Sequence, residues 1–311
     1  MREFSYHRAA DVREALAMAH EGARYLGGGT NLVDLMKTGV EAPTRLVDVR
    51  FLPLSGISQT ADELVIGATT TNSDLAAHPQ VRRRFPALSQ AVLAGASGQL
   101  RNMATVAGNL LQRTRCGYFA TQECNKRVPG TGCPAIMGQH HNHAILGWSE
   151  SCVATHPSDM AVALLAFDAI VHVETLEGPG EIPLADFYPP VGDTPHVETT
   201  LPPGALITAV RLRGSFPHSR YRKVRERASY AFATLSAAAS LDGGSARIAL
   251  GGVASRPWRA QRAEAVLLEH PGDFHGAAEA ELAAAQPLPG NGYKLTLARN
   301  LIVSVLNEVR P

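Results

Sequence analysis

Outside one short stretch the sequence contains no cysteine. All four cysteines of the 311-residue chain, Cys116, Cys124, Cys133 and Cys152, lie in a single window. Nothing in folding demands that clustering. No C-x2-C pair occurs, because the gaps are seven, eight and eighteen residues. That spacing disfavours a zinc ribbon and excludes the bacterial ferredoxin pattern. Charge of one sign is also missing. The 29 basic and 28 acidic residues leave a net charge of +1, which is no electrostatic footprint for nucleic acid. No run of eighteen apolar residues exists, and the longest candidate, 161–173, is interrupted by Asp168 and His172. No membrane-spanning helix is expected. Residues 1–10 hold neither a hydrophobic signal core nor a twin-arginine pair, so no export address is expected on this chain. Repeats, low-complexity tracts, a G-x-G-x-x-G fingerprint and a Walker loop are absent as well.

The cysteine window itself is rich in turn formers. Gly117, Gly130, Gly132 and Gly138, with Pro129 and Pro134, read as an irregular loop that can wrap a compact inorganic object. Arg113, Arg115, Lys126 and Arg127 suit a four-thiolate core of net negative charge. Four readings compete. Two disulfides are possible, although a chain this long does not need staples. Four buried free thiols are another reading. Zinc is a third, since His140, His141, His143 and His156 lie nearby. The fourth is a [4Fe-4S] cluster ligated by Cys116, Cys124, Cys133 and Cys152.

The length suggests two domains, and 45% hydrophobic residues can fill their cores. Residues 1–53 read as a small α/β layer. Asp11 with Glu14 three residues later resembles a capping box. A strand ends at Leu26, Leu32–Lys37 reads as a helix, and 45–49 as a strand. A second unit follows over residues 54–214. Its strands are expected at Glu63–Gly67, 170–174 and 206–212. Its helices are expected at Asn72–Ala77, 81–85, 87–94 and 159–167. Gly214 to His218 reads as a boundary. Beyond it, strands at 234–241 and 246–250 are joined by a turn at Asp242-Gly243-Gly244. Helices follow at 259–269, 273–284 and 293–309, the last with Leu297, Leu301, Val305 and Val309 on one stripe. Strands followed by segregated helices indicate an α+β fold.

Three segments look able to hold an anionic ligand. Gly27-Gly28-Gly29-Thr30-Asn31 stands between a strand and a helix, where successive amides can form an anion nest. A tight structural turn explains it equally well. Thr105-Val106-Ala107-Gly108-Asn109 is a second loop of this kind, expected just before a helix. Two such loops suit the two charged groups of a dinucleotide pyrophosphate. In His156-Pro157-Ser158-Asp159-Met160, Ser158 or Asp159 either caps the following helix or binds ribose or ribityl hydroxyls.

Taken together, Leu26-Gly-Gly-Gly-Thr-Asn-Leu32, Arg101-Asn-Met-Ala-Thr-Val-Ala-Gly-Asn-Leu110 and Pro157-Ser-Asp-Met160 resemble the FAD-binding subunits of molybdenum hydroxylases. That is the family of xanthine dehydrogenase, carbon monoxide dehydrogenase and aldehyde oxidoreductase. The resemblance extends through Tyr221-Arg-Lys-Val-Arg-Glu-Arg227 to the C-terminal unit. The cysteine insert resembles the branch of bacterial periplasmic aldehyde oxidoreductases, whose flavin subunit carries an extra [4Fe-4S] cluster. His140-His141 and Ala120-Thr121 depart from the pattern of that branch, where Asn-Arg and Arg-Asp are expected.

The resemblance implies a PCMH-type FAD-binding domain over residues 1–214, with subdomains 1–53 and 54–214 and a cluster insert at about 113–153. An α+β domain over 215–311 would complete the chain. It implies FAD contacts from Leu26, Gly27, Gly28, Gly29, Thr30, Asn31, Leu32, Thr105, Gly108 and Asn109, with Ser158 and Asp159 at the hydroxyl-bearing part. Lys223 would lie near the isoalloxazine ring, or else be a solvated surface lysine. The implied partners are a large molybdenum-cofactor subunit that oxidises an aldehyde and a small subunit with two [2Fe-2S] clusters. The chain would pass electrons through FAD to an external acceptor, and no residue of its own would be catalytic toward the aldehyde. Export to the periplasm would depend on a signal-bearing partner. Two rival readings are a standalone FAD oxidase and a zinc-stabilised, non-catalytic assembly protein.

Overall fold

Three sheets organise the chain, each built by a different local pattern. The protein's structure is a computed structural model that describes residues 1–242 and 245–310. In the first layer Ser5–Arg8, Arg45–Asp48 and Arg24–Leu26 form a parallel three-stranded sheet in that spatial order. Parallel neighbours need crossovers, and the helices Val12–His20 and Leu32–Lys37 provide them. Asp11 caps the first helix by accepting from the Glu14 amide at 2.8 Å. The return bond differs from a capping box, because Glu14 accepts from Ala10 N rather than from Asp11. Ala15 and Leu16 then pack onto Val47 and Val49.

The second layer is an antiparallel five-stranded sheet. Its order is Ile57–Gln59, Glu63–Gly67, Leu206–Arg213, Ile170–Thr175 and Gly178–Pro183. Pro79 and Pro86 begin the helices Pro79–Arg84 and Pro86–Ala94, where a missing N–H costs nothing. The first of these therefore starts two residues before the expected 81–85. The segment 105–109, expected as a loop ahead of a helix, is instead helical itself. Thr105 caps Val106–Leu110 by accepting from Gly108 N. Asp159–Ala166 is buried on every side, so its apolar residues surround the helix rather than form a stripe.

That helix is enclosed because the third sheet closes over it. The antiparallel order is Trp258–Arg259, Ser245–Gly251, Leu235–Asp242 and Ser219–Val224. Side chains alternate along the central strands. Ala238 and Ala249 share a core with Met160 to Ala166, whereas Ala237, Ala239, Ile248 and Leu250 face the C-terminal helices. The expected turn at Asp242-Gly243-Gly244 falls on Gly243 and Gly244, outside the described residues. Gln261–Glu269, Phe274–Leu282 and Tyr293–Glu308 follow. The stripe on Tyr293–Glu308 is broader than expected. Ala298, Ile302 and Leu306 are buried beside Leu301 and Val305, while Leu297 is only half-buried. Lys294 lies on this apolar face and is 0 % exposed.

The insert is less irregular than expected, since it contains the short helix Gly117–Thr121. It is docked on the third layer. The amides of Ile145 and Leu146 donate to Val253 O at 2.8 and 2.9 Å, and Gln286 N donates to Ile145 O at 2.7 Å. Ile145 and Leu146 belong to the C-terminal core. The mixed α+β architecture thus closes around one junction, where the first turn, the 105–110 segment, the Asp159 helix and the insert meet.

Candidate cofactor site and cysteine centre

The junction forms because two turns meet without side chains between them. A Cβ on Gly28 would stand 1.7 Å from Met103 O, and one on Gly27 would stand 2.8 Å from Thr105 Oγ1. Gly29 has φ +73°, a left-handed conformation that favours glycine. The turn therefore needs its glycines for packing as well as for any ligand.

Two cavities of about 800 and 1310 Å³ open beside this contact. They share Gly29, Thr30, Asn31, Gly108, His156 and Pro157, so they form one bent cleft. Gly27, Gly28, Leu32 and Thr105 line the first arm. Asn109, Ser158, Asp159 and Lys223 line the second. Leu26 lines neither; it ends its strand and accepts from Val49 N at 3.1 Å.

Individual side chains show what the cleft is prepared to hold. Asn31 makes no capping bond to its own helix. Its Oδ1 accepts from Arg113 N at 3.1 Å, leaving the buried Nδ2 without a partner. The Ser158 amide donates to His156 Nδ1 at 3.3 Å. The proton of a neutral ring then sits on Nε2, which is also buried and unpartnered. Burial, with Lys126 nearby, holds this imidazole down to about 3. Both orphan donors line both arms of the cleft. A buried donor without an acceptor costs about 1–3 kcal/mol, and diphosphate oxygens are suitable acceptors, so the residues fit a dinucleotide. Arg113 and Lys126 line the first arm but are paired with Glu41 and Glu198.

The second arm is more polar at depth. Ser158 is the helix cap, accepting from Ala161 N at 3.0 Å while its hydroxyl donates to Asn109 Oδ1 at 2.6 Å. Asp159 does not cap. Its carboxylate accepts from the Tyr221 hydroxyl and from Lys223 Nζ, the latter at 2.8 Å. Burial raises this carboxyl above its ordinary value, and Lys223 and Tyr221 oppose that rise. Lys223 is not a solvated surface lysine. It is buried and also donates to Ala94 O at 3.1 Å.

The four cysteines are all free thiols. Cys116 packs into three small apolar groups that contain Cys124, Cys133 and Cys152 in turn. The Cys133 thiol is pulled down to about 6, chiefly by its hydrogen bond with Cys152 and further by the amides of Val153, Ala135 and Ile136. The same bond, with burial, pushes Cys152 up. Burial raises Cys116, against the pull of the Tyr118 and Phe119 amides. Backbone donors around clustered sulfurs favour thiolates, so the residues suit a centre with one thiolate per iron. Among the described residues no three His, Cys, Asp or Glu groups converge to hold a single metal ion. Of the four nearby histidines, His143 reaches a thiol, with Nε2 3.2 Å from Cys116 Sγ.

The packing of two side chains at this junction is not visible in the sequence. His156 belongs to the third candidate segment and to the histidines weighed for zinc, but its enclosed, unpartnered Nε2 depends on long-range packing. Lys294 carried a usable signal. It precedes Ala298 and Leu301 at helical spacing, so it is a charge on an apolar face.

Comparison with known proteins defines the class. The family profile for the FAD binding domain in molybdopterin dehydrogenase matches residues 2–212. The profile for the CO dehydrogenase flavoprotein C-terminal domain matches residues 219–309. The chain belongs to the FAD-binding subunits of molybdenum hydroxylases and is an oxidoreductase subunit. Among individual relatives, the aldehyde oxidoreductase FAD-binding subunit PaoB of Escherichia coli (strain K12) is 52% identical over 318 aligned positions, spanning 100% of this chain and 99% of that protein. The carbon monoxide dehydrogenase medium chain of Afipia carboxidovorans is 28% identical, covering 93% of this chain and 89% of that one. A solved carbon monoxide dehydrogenase from Hydrogenophaga pseudoflava superposes with a TM-score of 0.76 at 26% identity, over 99% of this chain and 97% of the other.

Two outcomes follow from the cleft. Gly28→Ala forces a Cβ into the Met103 carbonyl. Its flavin absorbance per protein after purification is expected to fall at least roughly tenfold, and an unchanged FAD content would contradict the packing described here. The second concerns acid. An unfolded His156 takes its proton near pH 6.5, whereas the folded one stays neutral down to about 3. The folded chain then binds fewer protons, so stability falls as pH drops through this window, by about 1.4 kcal/mol per unit. His156→Phe removes that slope while keeping an aromatic contact with Tyr188, and urea midpoints measured between about pH 6 and 4 report the difference. Parallel profiles would contradict a buried neutral imidazole.

Proposed function

We propose that the chain is the FAD- and [4Fe-4S]-binding electron-transfer subunit of a heterotrimeric molybdenum-dependent aldehyde oxidoreductase. The observation that carries this reading is the meeting of the bent cleft with the cysteine insert. Cys116 lines the second arm, while Cys124, Cys133 and Cys152 line neither arm. Full-length similarity to an aldehyde oxidoreductase FAD-binding subunit supports the aldehyde assignment.

In this reading the Gly27–Asn31 turn and the Thr105–Asn109 segment, with Leu32, flank the diphosphate, and Asn31 and His156 supply the two buried donors. Ser158 and Asp159 face the hydroxyl-bearing chain. Lys223 stands at the ring end of the cleft, its charge largely balanced by Asp159. FAD, when bound, accepts electrons singly and releases them in pairs. Cys116, Cys124, Cys133 and Cys152 hold the [4Fe-4S] cluster, with six backbone amides and Lys126 stabilising their negative charge. The aldehyde is oxidised on a large molybdenum-cofactor partner. A small partner with two [2Fe-2S] clusters delivers electrons to this chain, which passes them to an external acceptor. A signal-bearing partner carries the folded complex to the periplasm.

The test separates this role from a standalone oxidase. The FAD-loaded chain alone is expected to keep its oxidised flavin spectrum when an aldehyde is added anaerobically. Assembled with both partners, it is expected to bleach. Bleaching of the isolated chain would contradict the assignment.

A further inference from the structure

The contact between His143 and Cys116 is not used in the reading of the flavin cleft, and it is enclosed on several sides. His143 is 8 % exposed, and its Nε2 lies 3.2 Å from Cys116 Sγ. A sulfur bound to iron has no hydrogen to give, so in the loaded protein Nε2 must be the donor. Nδ1 is then a bare lone pair, and it is buried with no partner.

The backbone that carries the ring is held from behind by the C-terminal domain. The His143 carbonyl accepts from Lys294 Nζ at 2.9 Å and from Asn291 Nδ2 at 3.1 Å. Lys294 also donates to Gly252 O at 2.7 Å, and Asn291 to Ala144 O at 3.1 Å. Both side chains are 0 % exposed, so neither can swing away into water. The Tyr118 ring stands on another side, with centroids 6.5 Å apart. His143 and Cys116 both line the second arm of the cleft, unlike the other three cysteines. The hydrogen bond therefore addresses the corner of the cysteine centre that faces the flavin site.

We propose that His143 is a positioning residue for the iron–sulfur centre, donating Nε2–H to the Cys116 sulfur and raising the potential at which the centre accepts an electron. This rests on the [4Fe-4S] reading given above. A donor to a ligating sulfur draws charge from it and so favours the more negative, reduced state. Removing the donor lowers the potential. Replacing it with another N–H restores the potential in part.

The experiment compares wild type, His143→Leu and His143→Gln in the assembled holoenzyme. Iron and acid-labile sulfide are counted, and cluster reduction is followed by EPR against applied potential. His143→Leu is expected to retain its iron. At the wild-type midpoint its reduced-to-oxidised ratio is expected to fall about tenfold, equivalent to about 59 mV for one electron. His143→Gln is expected to recover at least about half of that shift. Coincident titration curves for wild type and His143→Leu would overturn the proposal. So would loss of iron from both variants, which would make the histidine a prop for the loop. A wild-type holoenzyme without iron and sulfide would instead remove the cluster reading, and this inference with it.

Discussion

The structure depends on a contact between two stretches of backbone. Gly28 approaches the Met103 carbonyl more closely than any side chain allows, and Gly27 sits as tightly on Thr105. This brings the first, parallel layer against the antiparallel second layer, and the cleft is the space that remains beside the seam. Asn31 ends this turn and His156, whose amide donates to Ala254 O, lies across the cleft; both carry buried donors that lack partners within the protein. Diphosphate oxygens are acceptors that both groups could use. Ligand binding and stability are therefore coupled: a dinucleotide that satisfies both groups stabilises the fold that holds it.

The third layer completes the site from the opposite side. Lys223 belongs to the strand Ser219–Val224 and reaches Asp159 on the enclosed helix. Lys294 and Asn291 reach the insert. Each bond places a buried polar group from the C-terminal unit on a carbonyl or carboxylate of the FAD-binding unit. Losing one partner leaves the other buried and unpaired, which costs more than the pair itself contributes. The C-terminal unit thus acts as a clamp on both the cleft and the cysteine loop. That makes the two profile-matched segments, residues 2–212 and 219–309, parts of one working site.

Much of this was legible in the chain, for identifiable reasons. Period-2 and period-3.6 patterns placed the central strands and the long helices. Asp11, Thr105 and Ser158 have side chains that serve as helix caps. The Gly27–Asn31 turn is recognisable because few residues replace glycine at a left-handed φ or against a backbone carbonyl. The edge strand Ser5–Arg8 was not found, since all four of its residues are exposed and carry no alternation. The strand Gly178–Pro183 was hidden by its glycines and prolines, and it survives only at a sheet edge. The segment 105–109 reads as a loop because the five-residue helix Val106–Leu110 offers too few turns to show a period. The partners of buried groups were the least accessible part. That Lys223 meets Asp159, or that His143 meets Cys116, depends on long-range packing that no local pattern encodes.

The central claim is that one cleft and one loop of thiols in this chain are made for FAD and for four irons. The most direct measurement is cofactor stoichiometry on protein purified anaerobically from its native host. The account predicts about one FAD, four irons and four acid-labile sulfides per chain, with a yellow-brown spectrum. Colourless protein, or zinc in place of iron and sulfide, would contradict it.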